Sequence, residues 1–283
     1  MSVKIITDST CDLSPEMLTR LDVSVVPLYV TLDDKSYRDS LDLTPEGIYR
    51  FFAETKRTPR TSAVSVWDFL QVMTPLVLEG REIVYISISS DLSTSFQNAE
   101  IAAREFPQTR IRTVDSRSLS TGVGLLVLKA ARMAREGRSA DEIADELIRL
   151  RGCVRAGFLV DSIDFLYRGG RCNALEALGA NLLKLRPSLI LTEGRIEPGV
   201  KYRGSLADCL RKYTLGILAS MRRPDPSCVF ITHTKINPAL TDMVRDLVAD
   251  TGHFREICET TAGCVITSHC GENTLGVLYM ELP

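Results

Sequence analysis

The chain has no apolar run approaching the roughly 20 residues of a membrane-spanning helix. It also lacks the common signatures of nucleotide and hydrolytic chemistry. There is no G-x-x-x-x-G-K-S/T, and no Gly-Lys pair anywhere; there is no G-x-G-x-x-G after a strand, no G-x-S-x-G and no H-E-x-x-H. Neither sign of charge is in surplus. A net charge of -2 supplies no global field for nucleic acid or an anionic membrane. None of the eight cysteines (Cys11, Cys153, Cys172, Cys209, Cys228, Cys258, Cys264 and Cys270) forms a C-x-x-C pair. Cys258, Cys264, Cys270 and His269 fit no zinc spacing, so no metal and no cofactor is expected. The opening MSVKIITDST, with Asp8 and Asp12 where an export signal would be apolar, points to a cytoplasmic chain without disulfides.

What is present reads as an ordinary globular protein. The 283 residues are 45% apolar and 25% charged, enough for one large domain or two modest ones. In the first half, β-branched runs at Val3–Ile6, Val23–Leu32, Ile83–Ile88 and Arg110–Val114 alternate with helix starts. Ser14-Pro15-Glu16 and Thr44-Pro45-Glu46 each combine an N-cap, a first-turn proline and an early acid. Ser65 is read as the cap of a helix at Val66–Leu78, and another helix follows from about Ser95. Leu125–Arg135 is helical up to Gly137, and Ser139 with Glu142 forms a capping box. Strands alternating with helices imply a mostly parallel sheet.

The second half differs. Ser188–Thr192 and Ile196–Arg203 flank Glu193-Gly194-Arg195, a hairpin turn. Helices are expected at Ile163–Tyr167, from Leu206 to Met221 and after Asn237-Pro238. Further strands are expected at Gly157–Val160, Cys228–Thr232, near Cys264–Ser268 and at Gly276–Glu281. The fold class is therefore α/β with two domains: a parallel α/β domain over 1–152 and an α+β domain with antiparallel strands over 153–283.

Hydroxyls cluster in turns of the first half: Thr7-Asp8-Ser9-Thr10, Thr61-Ser62-Ala63-Val64-Ser65 and Ser89-Ser90-Asp91-Leu92-Ser93-Thr94-Ser95. Ligands of open α/β sheets bind beyond the carboxyl ends of the strands, where helix N-termini favour anions. Ser and Thr hydroxyls can donate to such an anion, or they can simply cap the helices.

Here the chain resembles the DegV family. The matching stretches are Ile5-Ile6-Thr7-Asp8-Ser9 with Asp12-Leu13, Thr61-Ser62 with Ser65, Leu92-Ser93 with Ser95-Phe96, and Val114-Asp115-Ser116. Asp164-Phe165-Leu166-Tyr167-Arg168-Gly169-Gly170-Arg171, Leu185-Arg186-Pro187, Gly194-Arg195-Ile196, Arg203-Gly204 and His269-Cys270-Gly271 follow in the same order. The resemblance implies a fatty-acid-binding subunit serving a separate bacterial fatty-acid kinase. It implies a carboxylate at the interdomain cleft held by Thr61, Ser62 and Ser93, with Thr94 beside them and His269 facing them from the second domain, and an acyl tail in an apolar tunnel. There are two departures from the family pattern. Thr94 follows Leu-Ser where the family has Gly, and Glu272-Asn273 replaces Pro-Gly. Asn273 can supply the positive φ of Gly, while Glu272 must point away from a bound carboxylate, pair with an arginine or signal a different ligand.

Arg168, Arg171, Lys184, Arg186, Arg195, Lys201 and Arg203 make one stretch locally basic. This is either a solvated face or, as the resemblance implies, a docking surface for the kinase through Arg168, Arg171 and above all Arg203. The competing function is a lipid or ester hydrolase with Ser93 as nucleophile, His269 as base and Asp8 as orienting acid.

Overall fold

The protein is described here from a computed structural model covering residues 2–171 and 185–283. The first half runs β1 (Val3–Asp8), α1 (Pro15–Leu21), β2 (Val23–Val26), β3 (Tyr29–Leu32), β4 (Lys35–Arg38), α2 (Pro45–Thr55), β5 (Arg60–Ser62) and α3 (Val66–Leu78). It continues with β6 (Glu82–Ser87), α4 (Ser95–Ala103), β7 (Ile111–Asp115), α5 (Thr121–Arg135) and α6 (Ala140–Leu150). The start signals work as their chemistry dictates. Ser14 accepts from Met17 N, and Ser65 with Asp68 and Ser139 with Glu142 form reciprocal capping boxes.

Strands β2, β1, β6 and β7 form a parallel sheet in that order. Side chains alternate between its faces. Ile5, Val84 and Ile86 enter the core beneath α5 and α6, while Ile6, Ile83 and Tyr85 enter the core with Phe69 and Met73 of α3 and Ala99 of α4. The chain winds one way from β1 to β2 and the other way from β6 to β7. The crevice beyond the carboxyl ends of β1 and β6 is therefore a topological switch point.

The stretch Val23–Leu32 is not one strand. Pro27 cannot donate to a ladder, so β2 ends at Val26 and β3 joins a separate antiparallel sheet, β4-β3-β5. That sheet presents Thr61 of β5.

The second half contributes β8 (Val154–Arg155), β9 (Gly157–Leu159), α7 (Asp164–Gly169), β10 (Leu185–Thr192), β11 (Arg195–Arg203), α8 (Leu206–Ser220), β12 (Pro224–His233), α9 (Pro238–Ala249), β13 (Ile257–Thr261), α10 (Cys264–Cys270) and β14 (Leu275–Glu281). Its sheet has the order β11-β10-β9-β14-β12-β13, with β8 also on β14, and every pairing is antiparallel except β12 with β13. The β10–β11 hairpin turns through Glu193 (φ 49°) and Gly194 (φ 90°), the two positive φ values a tight hairpin turn needs.

Two expectations fail here. Cys264–Ser268 is helix, not strand, and the sheet strand that precedes it is β13, unread in the sequence. The segment is short and centred on β-branched Val265, Ile266 and Thr267, so its periodicity cannot separate a strand from a buried helix. Burial decides it: Cys264 and Val265 pack into the core of Ile6, Val30 and Phe69. Helix α5 also begins at Thr121, one turn before Leu125. It lies between the two main sheets, with Val123, Leu126 and Val127 in one core with Phe230, Leu278 and Met280. The described helices include none long and apolar enough to cross a membrane.

Candidate functional site

The switch-point crevice is built by one buried carboxylate. Asp8, at the end of β1, accepts from Thr10 N, Thr10 Oγ1 (2.5 Å), Tyr85 Oη (3.0 Å) and Ile88 N (2.8 Å). It thereby ties the end of β1 to the end of β6, and burial raises its pKa. The following turn is fixed by its own backbone: Ser93 N and Leu92 N both donate to Ser89 O, and Ser90 N and Oγ donate to Asp115. Ser93 arrives in front of α4, where its Oγ accepts from Ser95 N (3.3 Å) and contacts Ser95 Oγ (3.0 Å). Ser95 Oγ in turn accepts from Val64 N, which locks the turn after β5 against the start of α4.

Helix α10 brings His269 to the same place. Its Nε2 lies 2.8 Å from Thr61 Oγ1, and its Nδ1 is buried and has no partner among the described residues. Burial first, and the nearby Arg171 cation second, lower the His269 pKa to about 4, so the imidazole is neutral at pH 7. The last residue of α7, Gly169, lies against this ring; a Cβ there would collide with His269 Nδ1. Gly170 (φ 64°) then ends the helix in the left-handed conformation, and Arg171 turns back to donate to Gly169 O (2.8 Å).

These groups meet at a cavity of about 50 Å³. Thr61, Ser62, Ser93, Arg171 and His269 are its polar lining, and Leu92, Leu119, Phe158, Leu166 and Ile266 are among its apolar walls. A second lobe of about 20 Å³ shares Leu119, Phe158, Ile266 and Cys270 and runs on to Gly276 and Leu278. The arrangement is polar at one end and apolar along the rest. Hydroxyls and a neutral imidazole can donate to a head group there, and the Arg171 cation adds attraction for an anion.

Of the residues read from the sequence, Thr61, Ser62, Ser93 and His269 converge. Thr94 does not line the cavity: it is exposed at the N-cap of α4 and makes no capping hydrogen bond. Arg171, read as a docking residue, lies on the cavity wall. Arg168 is exposed and donates to Lys56 O (3.4 Å), and Arg203 is exposed at the end of β11. Lys184 and Cys172 lie outside the described residues. Asn273 takes φ 59°, as its place in the family's Gly position requires, and its amide reaches Asp161. Glu272 points away and pairs with Lys235 (3.0 Å) rather than with an arginine.

A Ser-His-Asp triad is not assembled. His269 Nε2 meets Thr61 rather than Ser93, its Nδ1 meets no carboxylate among the described residues, and Asp8 is committed to Thr10, Tyr85 and Ile88. Sequence reading missed Phe158, Leu119 and Ile266, whose apolar character marks core and cavity wall alike.

A parallel sheet whose switch point faces a polar-headed apolar cavity is an arrangement in which α/β proteins bind small molecules. Comparison with known proteins gives its family. Residues 2–282 match the DegV family, described as uncharacterised proteins. A DegV domain-containing protein of Deinococcus radiodurans is 31% identical over 295 residues, covering 100% of this chain and 99% of that protein. A fatty-acid-binding DegV family protein from Thermus thermophilus has the same fold with a TM-score of 0.90 and 34% identity, all of both chains being covered. DegV of Bacillus subtilis, a fatty acid binding protein, superposes with a TM-score of 0.86 at 27% identity, again over 100% of both chains. This chain belongs to the DegV family.

Proposed function

We propose that this protein binds a long-chain fatty acid noncovalently, with its carboxylate among Thr61, Ser62, Ser93, His269 and Arg171. The observation that carries this is the meeting of Thr61 with His269, 2.8 Å apart, beside Ser93 on one cavity wall. The bent passage past Phe158 and Ile266 takes the acyl tail. In this reading 1–152 and 153–283 are two domains, and the head group lies at the cleft between them. The Thermus and Bacillus structures, of fatty-acid-binding proteins with this fold, support it.

The bound carboxylate is presented to a separate fatty-acid kinase, which forms the acyl phosphate. Arg168, Arg171 and Arg203 have no acidic partner among the described residues, whereas Arg186 and Arg195 pair with Asp161 and Asp91. Arg168 and Arg203, which do not line the cavity, suit a docking surface that raises the association rate. Denaturing extraction of protein made in bacteria, followed by mass spectrometry, tests the binding reading. A long-chain fatty acid is expected in stoichiometric amount; lipid-free protein that also fails to take up added fatty acid would contradict it.

A further inference from the structure

The acyl passage has a far end, and that end is built differently from its sides. The lobe of about 20 Å³ lies back to back with a larger cavity of about 620 Å³, which has Leu13, Leu18, Val25 and Leu41 among its walls. His233 is the one described residue that lines both. Its ring stands between them. Nδ1 donates to O of Thr234 (2.7 Å), on the wall of the lobe, and Nε2 lies 3.2 Å from Glu259, on the wall of the larger cavity. Arg245 in turn holds Glu259 (2.5 Å). Two further hydrogen bonds cross the same partition. The hydroxyl of Ser120, on the lobe side, donates to Asp12, on the cavity side (2.5 Å), and the hydroxyls of Thr232 and Thr260 face each other across it at 2.9 Å.

The sides of the passage are apolar, at Leu119, Phe158, Ile266 and Leu278. A methylene entering there exchanges one apolar contact for another. The partition cannot yield in that way. A tail that pushed through it would part His233 from Thr234 or Glu259 and leave polar groups that hydrocarbon cannot satisfy, at about 1–3 kcal/mol for each. The first methylene to pass gains only about 0.8 kcal/mol. Growth of affinity with chain length therefore stops where the tail meets the ring, although the cavity beyond has room for more methylenes.

We propose that His233 closes the acyl passage and so sets the longest fatty acid the protein accepts. The proposal rests on the fatty-acid reading. Its test is a competition: the full chain, freed of lipid, is offered palmitate and docosanoate in equal amounts, and the bound acids are extracted and measured by mass spectrometry. The parent chain should carry palmitate in at least about tenfold excess. His233→Ala opens the partition into the larger cavity, and the excess should fall about tenfold. Adding Leu18→Trp, which fills that cavity, should restore it. If His233→Ala does not fold, Glu259→Ala, which only frees Nε2 of the ring, takes its place, and the excess should fall about threefold. Three results would overturn the proposal: a parent chain that takes up both acids equally, an excess unchanged when His233 is removed or released, and a lost preference that Leu18→Trp does not reverse. A parent chain that binds neither acid would instead overturn the fatty-acid reading, and this proposal with it.

Discussion

His269 and Asp12 are residues whose ordinary chemistry is inverted by burial, and their signs are opposite. For His269 the ordinary pKa of 6.5 falls to about 4 in the folded chain. Between those values the unfolded chain binds a proton that the folded chain refuses, so stability falls as pH falls through the window. The gap corresponds to roughly 3 kcal/mol. Urea unfolding at pH 7.5 and 4.5 should therefore show His269→Gln losing about 2 kcal/mol less than the parent chain; equal losses would show the imidazole to be indifferent. Burial drives Asp12 the other way, from 3.8 up to about 8. The folded state then keeps a proton that the unfolded state releases, and stability declines as pH rises between those values. Asn suits the φ of 49° and can still accept from Gly263 N. Asp12→Asn should thus gain on the parent chain from pH 5 to pH 9 in the same unfolding experiment; a difference that does not vary with pH would contradict this. Neither perturbation can be read from sequence, because both depend on which elements close over the side chain.

At the scale of elements, legibility followed local chemistry. Ser14-Pro15, Ser65 with Asp68 and Ser139 with Glu142 announce their helices because capping is complete within four residues. The hairpin at Glu193-Gly194 was legible for the same reason. The helix α10 was not: Cys264–Ser268 has strand composition, and only packing against the small sheet and α2 settles its form. Thr61, Ser62, Ser93 and His269 were named through family resemblance. Arg171 was read only as a docking residue; that it lines the cavity depends on the turn at Gly170, whose direction has no sequence signature. The contact between α7 and α10 is the junction most exposed to substitution. Gly169→Ala puts a methyl group into the His269 ring. It should cost about 1–3 kcal/mol in thermal unfolding and shift the His269 ring resonances. Ring signals that stay in place would show that His269 is not held by α7.

For the whole molecule, the governing fact is cavity size. Pockets that bury drug-sized ligands measure about 300–1,000 Å³, against about 50 and 20 Å³ for the two lobes here. In the proposed binding mode a long acyl tail spreads the walls around Phe158 and Ile266, and its burial offsets that cost. At about 0.8 kcal/mol per CH₂, affinity should fall roughly fourfold for each methylene removed from a saturated acid until the tail no longer reaches the second lobe. Equal affinity for octanoate and palmitate would mean that the tail lies in solvent. Docking belongs to this scale too. Under the proposed docking, Arg203→Glu should lower acyl-phosphate formation by a fatty-acid kinase while leaving fatty-acid affinity intact; an unchanged rate would move the interface elsewhere. The central claim is the position of the carboxylate, and calorimetric titration of palmitate into the parent chain, Thr61→Ala and Ser93→Ala tests it most directly. Each lost hydrogen bond to a charged group should weaken binding by about 1.5–3 kcal/mol, roughly 10- to 150-fold, with the unfolding temperature of the ligand-free protein little changed. Palmitate affinity equal to the parent in both variants would contradict the account.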